Sequence, residues 1–125
     1  MGKFNPLTKI SECRVKLYPE KYDASYNFYK NTLSFPIVKE WNQDPEDKGA
    51  MFDTGTAIIE LLYEGSPEKI RGCDLSLEVK DVRKLFEKIK NEVKIVFSLR
   101  HNDWGDTSFC VTDPNGFELT FFTKD

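Results

Sequence analysis

Residues 104–122 read WGDTSFCVTDPNGFELTFF, and the fold turns on this stretch. Ser108 to Thr112 alternate polar and apolar side chains, as a half-buried strand does. Asp113-Pro114-Asn115-Gly116 is turn chemistry: proline fixes one backbone dihedral, while asparagine and glycine accept positive φ. Phe117 to Phe122 is a second strand, aromatic and strongly apolar. Such a strand belongs inside a sheet rather than at a free edge.

Upstream of this hairpin, Cys73, Leu75, Leu77 and Val79 alternate with Asp74, Ser76 and Glu78, which predicts a strand. Asp81 is placed to cap a helix whose apolar face is Val82, Leu85, Phe86 and Ile89. Val93 to Leu99 is the next strand. Arg100 to Asp106 reads as a loop holding the single histidine, His101, expected to be solvated.

The first half repeats this order. Cys13, Val15 and Leu17 alternate with Arg14, Lys16 and Tyr18, and Pro19 ends the strand. Asp23 is a candidate cap for a helix from about Ala24 to about Leu33. Strands follow from Pro36 to Trp41, from Ala50 to Asp53 and from Ala57 to Tyr63. The polar run Asn42 to Lys48, broken by Pro45, reads as a loop, and Gly65-Ser66-Pro67 as a linker. Each half is therefore β-α-β-β-β, a repeat of about 50–60 residues in only two copies, which is no solenoid.

Composition bounds the rest. A chain of 125 residues predicts one domain, residues 1–125, with module one at about 9–63 and module two at about 72–123. The net charge of −3 is mild and no block of like charge is long, so no nucleic-acid or membrane partner is expected. MGKFNPLTK has no apolar run, so no secretory signal is expected. Cys13, Cys73 and Cys110 are an odd, scattered set, which favours a reduced, cytoplasmic setting over a disulfide framework.

The helix of each module has to cover the apolar face of its sheet. The polar faces of the first strands then point elsewhere, and two sheets curving toward each other would line a cleft with them. Arg14, Lys16, Glu60, Asp74 and Ser76 are the expected lining. Trp104 and Trp41 are candidates to stack on a flat ligand. A concave site with a few convergent polar groups is the usual form of a small-molecule pocket.

The paired β-α-β-β-β halves, the segment SYNFYKNTLSF and the closing DPNGFELTFF resemble the vicinal oxygen chelate superfamily. That superfamily contains glyoxalase I, extradiol dioxygenases, fosfomycin-resistance enzymes and bleomycin-resistance proteins. The resemblance runs from Ile10 to Phe122. It implies an α+β fold of two βαβββ modules forming a curved mixed sheet around a cleft, in a homodimer whose partner helps to complete that cleft. The fold hosts many chemistries, so function has to be argued from the site.

In the superfamily's enzymes a divalent metal is held from the first and last strands of each module. Those positions fall here on Arg14, Glu60, Asp74 and Thr120, and only Glu60 matches the usual ligand type. Arg14 carries a guanidinium that is never deprotonated, and Thr120 is a poor ligand. A shifted set of Cys13, Glu60, Cys73 and Glu118 has capable ligands. It is expected to fail because Cys13 and Cys73 should lie on the helix-packed face and Glu118 on the face opposite Thr120.

The expectation is a metal-independent protein with no cofactor, binding a small polar or anionic ligand through Arg14, Lys16, Glu60, Asp74, Ser76, Trp104 and Thr120. One alternative is a metal-dependent lyase like glyoxalase I, or a dioxygenase, with an atypical ligand set. The other is a structural or partner-binding domain.

Overall fold

The computed structural model describes residues 10–63 and 72–125; the expected linker at Gly65-Ser66-Pro67 lies outside them. In the first module, β1 (Arg14–Leu17) leads to α1 (Tyr22–Asn27) and a π-helical turn (Phe28–Thr32). β2 (Ile37–Asp44), β3 (Asp47–Asp53) and β4 (Ile58–Leu62) follow. In the second, β5 (Asp74–Glu78) and α2 (Val82–Ile89) precede β6 (Lys94–Asn102), β7 (Asp106–Thr112) and β8 (Glu118–Lys124). The two sheets have matching orders, β1-β4-β3-β2 and β5-β8-β7-β6. The aromatic final strand β8 is therefore interior, parallel to β5 on one side and antiparallel to β7 on the other.

One face of each sheet packs under its helix. Leu17, Ala50, Phe52, Ile59 and Leu61 meet Tyr22, Phe28 and Tyr29 in the first module. Phe109, Val111, Leu119 and Phe121 meet Val82 and Ile89 in the second, and all of these belong to one continuous core.

The structure corrects several local expectations. Helix α1 begins at Tyr22, with Lys21 at the cap position, so Asp23 lies in its first turn and caps nothing. The helix does not run on regularly to Leu33. It widens into the π turn, closed by Leu33 N–H donating to the Phe28 carbonyl at 2.9 Å. The extra residue in that turn lets the adjacent Phe28 and Tyr29 both face the core. Asn42–Lys48 is not an open loop: β2 and β3 extend along it to a tight turn, with Glu46 N–H donating to Asp44 Oδ1 at 2.9 Å. Likewise β6 runs through His101 to Asn102, whose side-chain amide donates to Asp106 and Ser108, both at 2.8 Å. Polar residues can extend a hairpin beyond the core when their side chains stay exposed or, like Asn102, are buried with hydrogen-bond partners.

The turn that decided the sequence reading also joins the modules. Asp113 is buried, and its Oδ1 accepts the backbone N–H groups of Asn115 (2.8 Å) and Phe117 (2.9 Å). Its Oδ2 accepts the hydroxyl of Tyr29, from the first module's π turn, at 2.8 Å. Burial pushes the Asp113 carboxyl above its usual range, although all of these donors favour the ionised form. Burial also pushes the Tyr29 phenol up, and the Asp113 charge adds to that shift. The Glu20 N–H donates to Asn115 Oδ1 at 3.2 Å, a second link between the halves.

Candidate functional site

The polar face of the first sheet is fixed by strand register. Arg14 sits opposite Ile58 and Lys16 opposite Glu60, while Glu60 also faces Met51 across β3. One step along, Gly49 lies between Leu62 and Trp41, and Met51 lies opposite Lys39. Gly49 is needed here, because a Cβ would come within 2.3 Å of Trp41 Cζ2 and 2.7 Å of the Leu61 carbonyl oxygen. The benzo edge of the indole therefore occupies the space over Gly49 that a side chain there would fill. Lys39 Nζ is 5.9 Å from the ring centre.

Glu60 is the central polar group of this face. It is only 6% exposed, and among the described residues its buried Oε1 has no hydrogen-bond partner. Arg14 Nη1 stands 3.9 Å from that oxygen, beyond hydrogen-bond reach. The same guanidinium is turned outward, its Nε donating to Glu12 at 2.6 Å. That contact raises the Arg14 pKa further, so the group is a fixed cation.

The polar face of the second sheet is different. Asp74, Ser76, Thr120 and Trp104 come together with Phe97, Arg100, Asp106, Ser108 and Phe122 around a cavity of about 400 Å³. Trp104 is 75% exposed, and the Arg100 guanidinium stacks 3.7 Å from the centre of the Phe97 ring. Four of the seven expected site residues thus share one cavity. Arg14, Lys16 and Glu60 share the other sheet's face, and among the described residues no hydrogen bond or ion pair joins the two sets. Phe97, Arg100, Asp106 and Ser108 complete the cavity. Arg100 stands near Trp104, where the sequence allows a polar rim, but register shifts on either side of Phe97 hide the phase of β6, and Asp106 and Ser108 come from the neighbouring β7.

The cysteines and Glu118 are not where the sequence placed them. Cys13 and Cys73 are exposed, not part of the core: each lies one residue before its strand, ahead of the stretch the helix covers. Glu118 pairs with Asp74 and stands two residues from Thr120, so it shares their face; residues two apart on a strand always do. Cys110 is buried on this face, with Sγ 3.7 Å from Glu118 Oε1. Burial pushes its thiol pKa up, against a Thr120 hydrogen bond that lowers it, which makes it a poor nucleophile. His101 is exposed as expected, though on a strand, and its Nε2 pairs with Asp125 at 2.9 Å.

A resident divalent metal does not fit these residues. The carboxylate at the best-matched position, Glu60, has Arg14 beside it and Lys16 across from it, so two cations stand where further ligands would have to be. Among the described residues no three histidine, cysteine, aspartate or glutamate side chains are grouped to hold an ion. Among the described residues, also, no helix is long and apolar enough to cross a membrane.

The sequence matches the Glyoxalase/Bleomycin resistance protein/Dioxygenase superfamily over residues 10–121. Among solved structures, the fold is similar to that of TioX from Micromonospora sp. ML1, with a TM-score of 0.75 and 21% identity over 93% of this chain and 100% of that one. It is similar to a member of the same superfamily from Sphaerobacter thermophilus DSM 20745, with a TM-score of 0.73 and 17% identity over 93% and 98% of the two chains. Lactoylglutathione lyase from Agrobacterium tumefaciens gives a TM-score of 0.67 and 15% identity over 92% and 94%. None of the curated proteins matches the chain. With two βαβββ modules in matching strand order and a sequence match over nearly the whole length, the chain belongs to the glyoxalase/bleomycin resistance/dioxygenase superfamily.

Proposed function

We propose that this chain is a cytoplasmic, metal-independent binding protein for a small polar or anionic molecule. The observation that carries the reading is the second-module cavity. An exposed tryptophan beside a hollow of hydroxyls, carboxylates and one guanidinium suits a flat polar ligand, which stacks on the ring and is oriented by hydrogen bonds. Arg14, Lys16 and Glu60 form the second half of the site, and a homodimer brings the halves together.

Charge supports that pairing. β1 and β5 are both edge strands, one presenting Arg14 and Lys16 and the other Asp74 and Glu78. Two copies of β5 edge to edge would set carboxylates against one another, whereas β1 against a partner's β5 matches opposite charges.

The test is a thermal-shift and tryptophan-fluorescence screen with small organic acids and polar aromatics. At least one compound should raise the melting temperature and quench Trp104, with the quench lost in Trp104→Phe. A broad screen without any such compound would leave the structural or partner-binding alternative. Metal analysis of the purified protein is expected to give well under one ion per chain. A stoichiometric metal lost on Glu60→Ala would replace this reading with the lyase or dioxygenase one.

A further inference from the structure

The first module carries a second concavity, on the helix side of its sheet. Helix α1 is short, and the β2–β3 hairpin runs on past it. Between them lies a cavity of about 440 Å³, with Tyr22, Asp23 and Tyr26 of the helix on one side and Glu40, Asn42 and Lys48 of the hairpin on the other. Strand register separates it from the face described above. Glu40 pairs with the core residue Ala50 and so projects toward the helix, whereas Trp41 pairs with Gly49 on the Glu60 face. Solvent reaches the cavity directly: Asp23, Glu40 and Asn42 are exposed, with the buried Tyr22 behind them. Its size is that of a small-molecule pocket.

Its chemistry suits a cation, and one ammonium already rests in it. Lys48 Nζ stands 3.7 Å from Asp23 Oδ1, and 5.1 and 5.0 Å from the ring centres of Tyr22 and Tyr63. Lys30 Nζ is likewise drawn to the Tyr26 ring, 5.4 Å from its centre. Lys48 offsets one of the two lining carboxylates and leaves the other. Among the described residues Glu40 enters no ion pair. The hairpin tip adds Asp44, Glu46 and Asp47, so the field around the opening is negative as well. Burial pushes the Tyr22 and Tyr26 phenols up, and Glu40 adds to both shifts, so both rings stay neutral and keep their electron-rich faces.

We propose that this cavity binds a small primary amine in its ammonium form, at a site separate from the Trp104 cavity. The ammonium donates to Glu40, with the side-chain carbonyls of Asn42 and Gln43 as further acceptors, and the carbon body lies against Tyr26 and Pro45. Carboxylate and amide oxygens accept N–H groups, so a primary ammonium is favoured over a quaternary one. Lys48 is the built-in competitor, since it holds Asp23 and the Tyr22 ring with the same chemical group.

Three probes with a shared phenylalkyl body isolate the head group: phenethylamine, its trimethylammonium analogue and hydrocinnamate. Each is titrated into the unmodified chain at neutral pH and followed by proton–nitrogen NMR, reading the side-chain amide signals of Asn42 and Gln43. Phenethylamine should move these signals saturably, the trimethylated analogue should bind more weakly, and hydrocinnamate should not move them. Glu40→Gln should weaken phenethylamine by about fivefold, as for one partly solvated ion pair. Lys48→Met should strengthen it, because Asp23 and the Tyr22 ring are released. No saturable movement of the two amides, or an equal response to hydrocinnamate, overturns the inference. Undiminished affinity in Glu40→Gln overturns the assignment to Glu40, and equal affinity of the trimethylated analogue overturns the N–H contacts. Unchanged or lower affinity in Lys48→Met overturns the placing of the ligand beside Lys48. The Trp104 screen reads the other module and is independent of all these results.

Discussion

The two modules share a strand order and a helix position but not a polar face. The first face is cationic at its edge, with one buried carboxylate at its centre and an indole lying over a glycine. The second is a hollow of hydroxyls and carboxylates under an exposed tryptophan. Their cores are built alike because each helix has to bury the same kind of sheet. The faces turned away from the core are free of that demand, so there the copies differ. The difference teaches that the repeat explains the architecture and the departures from it carry the specificity.

The modules also differ at their helices, and the sharpest way to break the comparison is at the point that depends on both. Asp113 in the second module accepts two backbone N–H groups and the Tyr29 hydroxyl of the first. Asp113→Ala leaves three donors unpaired, two of them buried, at a cost on the order of 3–5 kcal/mol in urea denaturation. Asp113→Asn should cost far less, because its amide oxygen accepts both N–H groups and its nitrogen donates to Tyr29.

The same pair gives a pH signature. Burial raises the folded-state pKa of Asp113 above its ordinary value. Its protonated form is therefore favoured by folding, and that contribution is present at low pH and lost as pH rises through the raised value. As pH rises from the ordinary carboxylate range, about 4, through the raised value, the wild type should lose stability relative to Asp113→Asn. A constant difference across that interval would mean that the carboxyl is not shifted upward.

A smaller effect tests the first face. Gly49→Ala forces a methyl against Trp41 and the β4 backbone, so it should cost about 1–3 kcal/mol and alter Trp41 fluorescence. The Trp104 cavity belongs to the other sheet and should keep its ligand response.

How much of this was legible in the sequence follows from the same contrast. Alternation around Leu17, Leu75 and Leu119 specified the strands and their buried faces, because period two is set by backbone geometry alone. The DPNG turn and interior β8 were legible for the same local reason. The π turn at Phe28–Thr32 was not, since it depends on Tyr29 reaching Asp113, 84 residues away. The side of Glu118 was within reach of parity and was misjudged. The orphaned oxygen of Glu60 was beyond reach, because it depends on where Arg14 turns.

The smallest expected effect compares the two helix starts. Both were read as aspartate caps, but only one is. Asp81 Oδ1 accepts the Lys84 N–H at 3.1 Å, and Thr123 Oγ1 accepts the Val82 N–H at 2.9 Å, so the start of α2 is satisfied twice. Asp23 lies inside the first turn of α1, 94% exposed on its side chain, and among the described residues its one ion pair is with Lys48 at 3.7 Å. Asp81→Ala should therefore cost about 1 kcal/mol in urea denaturation. Asp23→Ala should leave the midpoint unchanged within error, because an exposed ion pair of that length contributes little. Lys48 keeps its place between Tyr22 and Tyr63 without it, 5.1 and 5.0 Å from their ring centres. Equal losses in the two variants would mean that Asp23 supports α1 after all, and that the helices are closer copies than their hydrogen bonds indicate.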